Sequence, residues 1–452
     1  MHPTAATPTP KPSSPPNSTS SSSSSSTPTS TPTSTPRTKP ARAPIHADET
    51  GEPAASTTRD RLAVVSVTLG IFVIVTSEIM PIGLLTSIGS DFRVSDGTAG
   101  LLMTVPGFVA AVAAPVVTVA TGRFDRRLML AALTLVLALA NFVAAMAPNL
   151  WVMLLSRALV GLTIGGYWSI GAGLAGRLVR ERSVGRATAV IFAAVPLGSV
   201  IGVPAGTLIG HLAGWRASFV VMGVLSVGVW MALLAFVPPL MPVQVTRLIV
   251  LRGLLGRTDV RIGLVATLLV VVAHFGTYTY VTPFLQDVTH VDSGRISTFL
   301  LVYGAAGIAG NFLAGAAIAR SLRATFAGAA LVLAGATALL PVAGRSEVGA
   351  LGLLVVWGVA YGAVPVCSAT WFARSAPHAQ EAATVLFTSS FQATIGVGAL
   401  LGGMVVDAMS VSSVMVGGGA MAAVMALLVW ALGTTPGHEG DVPPPTADRH
   451  RR

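Results

Sequence analysis

Twelve apolar stretches, each long enough to cross a bilayer at about 20 residues per crossing, run between Arg61 and Leu432, separated by short polar breaks. They predict helices near 62–86, 98–119, 128–147, 150–172, 185–209, 215–236, 262–284, 297–318, 325–343, 349–371, 382–403 and 411–432. Almost no charge interrupts them: Glu78, Arg157 and His274 stand out. An ionised side chain at bilayer depth costs about 2.5 to 3.5 kcal/mol or more, so such groups face a partner or a water-filled cavity. The pattern is that of an all-α membrane protein.

The longest interior break, 237–261, holds Pro238, Pro239, Pro242 and four Arg residues and divides the spans six and six. It predicts an N-terminal bundle over 59–236, a cytoplasmic linker over 237–261 and a C-terminal bundle over 262–433. Residues 1–58, rich in Ser, Thr and Pro, and residues 434–452 have too little aliphatic content to seed a core and are expected to be disordered tails. No basic segment runs directly into an apolar core near the start, so the first span is expected to insert and stay. One set of loops carries Arg123, Arg126, Arg127, the run from Arg177 to Arg186, Arg247 to Arg261, Arg320, Arg323 and Arg374. The other carries only Arg93, Arg216, Arg295 and Arg345, which puts both termini in the cytoplasm of a cell (plasma) membrane protein.

The halves repeat in parallel. At an offset of 197 residues Gly97, Gly107, Gly161 and Gly165 meet Gly294, Gly304, Gly358 and Gly362, and Pro81 in span one answers Pro283 in span seven. Two pseudo-symmetric six-helix bundles with a solute site between them near the midplane follow from such a repeat.

Composition agrees: 52% of residues are hydrophobic and 10% charged. The net charge of +10 comes from loop arginines without interleaved aromatics, which argues against nucleic acid. Cys367 is alone and reads as a small core hydrophobe. No P-loop, calcium-loop, zinc or catalytic-triad pattern occurs, so neither an enzyme nor a metal or cofactor site is expected. Energy then comes from an ion gradient or from the solute's own.

Span one enters near Arg61, placing Glu78 17 residues in, about 25 Å along the helix. Span four enters from the other side near Asn149, placing Arg157 8 residues in, about 12 Å. The depths agree, and the two can pair or share a water; the alternative is a fixed tether. A proton on Glu78 would then free Arg157 and bias the halves. Tyr167 and Trp168 lie deeper than an interfacial belt and are candidates for the cavity or for helix packing. So do His274, Tyr278, Tyr280, Tyr303, Asn311, Trp357, Tyr361 and Gln392 in the second half, where His274 is either a proton-moving group or a satisfied packing histidine.

These features together resemble the major facilitator superfamily over nearly all of residues 60–433. The loop Gly122-Arg123-Phe124-Asp125-Arg126-Arg127 is similar to a shortened form of its loop signature. Arg157 with Gly161 and Gly165 is similar to its fourth-helix signature, and Gly198, Gly202, Pro204 and Gly206 to its antiporter signature. Pro204 stands one residue late, and the loop Arg320-Ser321-Leu322-Arg323 lacks the signature's Asp. Thr76 to Pro81, Gly165 to Ser169, Arg177-Leu178-Val179 and Gly214-Trp215-Arg216 resemble the twelve-span drug:proton antiporters, purine ribonucleoside efflux pumps most of all. The resemblance implies a monomer in the lipid bilayer that exports a small-molecule substrate in exchange for protons by alternating access. Within it Glu78 and Arg157 would be coupling residues, and Pro204 with its glycines a seal between halves. A sugar or multidrug exporter, an uncoupled facilitator and a transport-inactive membrane sensor stay open as alternatives.

Overall fold

The computed structural model describes residues 58–120, 124–171, 174–240, 253–376 and 380–432. The expected tails, Gly122 of the loop motif and the middle of the linker lie outside these residues. The twelve spanning helices are α1 (Thr58–Ile79), α2 (Leu101–Ala120), α3 (Arg126–Ala145), α4 (Leu150–Gly171), α5 (Val184–Ala213), α6 (Trp215–Phe236), α7 (Thr258–Tyr278), α8 (Ser293–Ile318), α9 (Leu322–Ala343), α10 (Glu347–Ser375), α11 (Gln380–Ala408) and α12 (Val411–Leu432). The fold class is the one read from the sequence, two pseudo-symmetric six-helix bundles.

Polar breaks become helix caps. The side chains of Asp125, Asn149, Asp292, Ser321 and Ser346 accept backbone N–H bonds at the starts of α3, α4, α8, α9 and α10. Asp125 also accepts from Leu240 N at 2.9 Å, and Arg127 donates to Leu234 O, so the basic loop grips the end of α6. Arg126 N bonds Leu240 O at 3.0 Å and its guanidinium reaches Met129. Gly214, at φ +83°, makes the turn from α5 to α6.

The glycine repeat is a repeat of packing. Gly161 and Gly165 of α4 lie against Pro106 and Ala110 of α2, and Gly358 and Gly362 of α10 lie against Tyr303 and Gly307 of α8, the same pairs moved by 197 residues. A Cβ at any of the four would overlap backbone of the facing helix, so these pairs approach as closely as two helices can. Gly107 of α2 faces Gly396 of α11 and Gly304 of α8 faces Val200 of α5, which makes the two lateral contacts between bundles equivalent as well.

Spans one and seven are each broken. α1 stops at Ile79 and a second helix, Pro81–Phe92, resumes; α7 stops at Tyr278 and Val281–Asp287 follows. The two short helices meet, Thr282 donating to Ile82 O at 2.9 Å. Near them, at the last turn of α11, Asp407 accepts from Ser95 Oγ at 2.8 Å and from Gly97 N at 3.0 Å. Tyr280 completes this seal: it donates to Ala399 O at 2.7 Å and its hydroxyl lies over Gly100 and Gly403, where a Cβ would collide. Asp407→Asn removes charge from an exposed acceptor that joins the bundles, and the loss is about 1 kcal/mol, a roughly fivefold population shift. Electron-spin distance measurements between labels at Ser90 and Met409 should show a larger share of the longer separation.

Candidate functional site

The break in α1 builds the first half of the site. Proline at position 81 has no N–H, so Ser77 O, four residues earlier, is left without its helical donor. Arg157 supplies one. Its Nη1 donates to Ser77 O at 2.9 Å, Nη2 to Glu78 O at 2.8 Å and Nε to Leu102 O at 3.1 Å. One fully buried guanidinium on α4 thereby fastens the frayed end of α1 to the start of α2. Asn141 of α3 adds a bond to Ser77 Oγ at 3.1 Å.

This arrangement corrects the expected pairing. Arg157 makes no ion pair with the Glu78 carboxylate, unlike Arg216 with Asp91 and Arg295 with Glu347, which pair where they are exposed. The reason is local: Pro81 and Pro106 each lack an N–H, so Ser77 O and Leu102 O, four residues before them, are left for the guanidinium. Glu78 is 6% exposed, its Oε1 has no hydrogen-bond partner, and it senses Arg157 only as a nearby charge. Its neighbour across the boundary between bundles is instead Gln392 of α11.

The α5 stripe supports the same place. Gly198, Gly202 and Gly206 lie under Val75, Thr76 and Met80 of α1, and Thr76 Oγ1 reaches Gly198 O at 3.5 Å. Pro204 is buried on the same helix. The expected seal between bundles is therefore a contact inside the first bundle. At i, i+4, i+8 the glycines share one helix face, and that face meets α1 on either side of Glu78.

In the second bundle five aromatic candidates gather into one cluster. His274 stacks on Tyr361 with centroids 3.2 Å apart and on Tyr278 at 5.1 Å, and Tyr278 stacks on Tyr303 at 4.6 Å. Trp357 Nε1 donates to His274 Nδ1 at 3.1 Å. An indole is only a donor, so Nδ1 holds a lone pair and the imidazole proton sits on Nε2, 3.5 Å from the Tyr303 hydroxyl. A charged imidazolium would set two N–H groups face to face. Held between Trp357 and Tyr303, the imidazole makes the contacts expected of a packing histidine. His274, Tyr278, Tyr303 and Trp357 are buried, whereas Tyr361 is only partly so; four rings back one that is presented. Trp357→Phe leaves His274 Nδ1 without its donor and a void beside it, a loss of about 1–3 kcal/mol readable as a lower unfolding temperature in detergent.

The remaining candidates lie elsewhere. Tyr167 is buried between α4 and α1, its ring over Gly70 and its hydroxyl 3.5 Å from Val67 O. Trp168 tilts against Phe192 of α5 at 6.3 Å. Asn311 is half-buried on α8, eight residues past Tyr303, about 12 Å along the axis. Tyr280 belongs to the seal. Sequence reasoning missed Ser77 and Asn141, although an Asn within an apolar span was a visible signal. It also missed Ser95 and Asp407, which look like ordinary loop residues until the bundles are joined, and took Gly97 only as part of the glycine repeat.

A chain of twelve spans in two bundles, with broken helices meeting and a buried carboxylate on their boundary, is built as an alternating-access membrane transporter. The model of the Major Facilitator Superfamily matches residues 67–393, and the chain belongs to that family. It is 32% identical over 374 residues to the purine ribonucleoside efflux pump NepI of Escherichia coli (strain K12), covering 82% of this chain and 93% of that one. It is likewise 32% identical over 369 residues to the transcription regulatory protein OpdE of Pseudomonas aeruginosa, covering 80% and 90%. Among solved structures, a bacterial homologue of the human lysosomal transporter Spinster, inward-facing and unoccupied, superposes with a TM-score of 0.67 at 15% identity, over 83% of this chain and 96% of that chain. The human organic anion transporter MFSD10 gives 0.61 at 17% identity, over 82% and 99%.

Proposed function

We propose that the protein exports purine ribonucleosides across the cell inner membrane in exchange for protons, with both termini in the cytoplasm and the bundles rocking about the Glu78 boundary. The observation that carries proton coupling is Glu78 itself, a buried carboxyl at the break of α1 with one oxygen unpartnered and no ion pair. An ionised carboxylate sealed between bundles with no paired cation is costly even with the Arg157 charge nearby, whereas the protonated acid is far less so. Closing the boundary therefore favours the proton-loaded form, and opening it to water allows release. Arg157 stays fixed through this cycle because its three N–H bonds go to backbone. The nucleoside assignment draws support from the likeness to NepI.

The test is flux of labelled inosine and guanosine into liposomes carrying the purified protein, with and without an imposed pH gradient. Uptake driven by the gradient supports the reading, and uptake indifferent to it leaves an uncoupled facilitator. The likeness to OpdE favours a second reading, a membrane regulator without transport. That reading gains if the folded protein binds a solute yet moves none.

A further inference from the structure

Glu78 and Gln392 leave a hydrogen-bonding account open. The two side chains are 6% and 5% exposed and lie close to each other across the boundary between α1 and α11. Even so, Glu78 Oε1 and Gln392 Oε1 are both buried and without a partner. Both are acceptors. Buried acceptors in native structures are nearly always met by a donor, and two orphans on neighbouring side chains ask for a ligand that brings N–H or O–H groups. The protein's own nearby cation is tied to backbone: Arg157 donates from Nε, Nη1 and Nη2 to the carbonyls of Leu102, Ser77 and Glu78 and makes no bond to the carboxyl. Among the described residues no cluster of three His, Cys, Asp or Glu side chains points to a metal ion instead.

Tyr361 supplies the remaining specification. It lies near enough to Glu78 for the carboxylate's charge to act on its phenol, it keeps part of its surface exposed, and its ring lies flat against His274. A ring pinned from behind in this way is a platform for a planar solute.

The structure assigns Glu78 Oε1 and Gln392 Oε1 as the reading edge of the solute site: we infer that they accept from the N–H edge of a flat heterocycle lying on Tyr361. This rests on the transport reading above and narrows its substrate to molecules with an in-plane N–H donor. A lactam nucleobase carries one, as N1–H of hypoxanthine, and so does a planar amidinium cation. One acceptor lies on each bundle, so a solute that meets both, by sharing N1–H between them as hypoxanthine must or with two N–H groups as an amidinium can, also draws α1 and α11 together.

The experiment is equilibrium binding to the purified full-length protein in detergent, with inosine, 1-methylinosine and benzamidine as probes. Inosine at least tenfold tighter than 1-methylinosine, with the gap closing in Gln392→Leu, supports the edge. Equal binding of the two nucleosides overturns it and leaves nucleoside export standing. Benzamidine binding that is lost in Glu78→Gln, with no nucleoside binding, supports the edge and overturns the nucleoside assignment. Binding of none of the three overturns the edge. The methyl comparison is made on the unaltered protein, so a variant that fails to fold does not decide it. Tyr361→Leu is expected to weaken inosine at least fivefold and Tyr361→Phe less than twofold, because the ring stays.

Discussion

Glu78→Gln in liposomes should abolish the response of solute flux to an imposed pH gradient while sparing counterflow, the exchange of labelled for unlabelled solute at equal concentrations. Gln has the shape of a protonated Glu and cannot release a proton, so the boundary between bundles can close at any pH. Gradient-driven accumulation should fall at least tenfold and become flat between pH 5.5 and 8. The sign follows from the burial of the group: in the wild type, closure requires a proton on Glu78, so raising the pH slows it. In the variant that requirement is gone, and folding should be unharmed or slightly improved, because no charge is left to desolvate. A variant that still accumulates solute against its gradient would show that the proton enters elsewhere.

That Glu78 deserves this test was readable before any coordinates, since a lone acid in an apolar span is costly unless used. The span edges were equally readable where Gly214 or Ser410 set a hard stop, and the spans at 215–236 and 411–432 coincide with α6 and α12. They were misread where a helix breaks yet stays apolar, as at Met80 and Thr279, because hydropathy does not register a missing backbone donor. The aromatic cluster was half visible. His274 with Tyr278 and Trp357 with Tyr361 are i, i+4 pairs and must each share a helix face. That the two faces meet, with Tyr303 between them, is decided by the glycine packing of α10 on α8, which fixes how far each helix is rotated. The contact between Glu78 and Gln392 was not visible at all, because more than 300 residues separate them and only the joining of the bundles makes them neighbours.

The sequence offered Arg157 an ion pair or a shared water with Glu78, and the backbone bonds it makes instead of the ion pair carry a sharper prediction. If Arg157 existed to balance Glu78, then Glu78→Gln would leave an uncompensated buried cation and weaken the fold. The structure gives the guanidinium three backbone carbonyls instead, so its removal is the costly step: Arg157→Leu strands Ser77 O, Glu78 O and Leu102 O in a dry interior. At about 1–3 kcal/mol for each unsatisfied group, and with some relaxation, a loss of about 3–5 kcal/mol is expected. Thermal unfolding in detergent should report it as a large drop in Tm, or as failure to yield folded protein. Arg157→Lys can reach one or two of the carbonyls and should fall between. The decisive comparison uses Pro81→Ala, which restores the N–H that Ser77 O lacks and lets α1 run on into the helix Pro81–Phe92. With one carbonyl satisfied from within the chain, Arg157→Leu should cost less in the Pro81→Ala background than in the wild type, a coupling of about 1 kcal/mol or more between two residues of different helices. Additive losses would mean that the guanidinium answers to the carboxylate after all, and that the break in α1 stands without it.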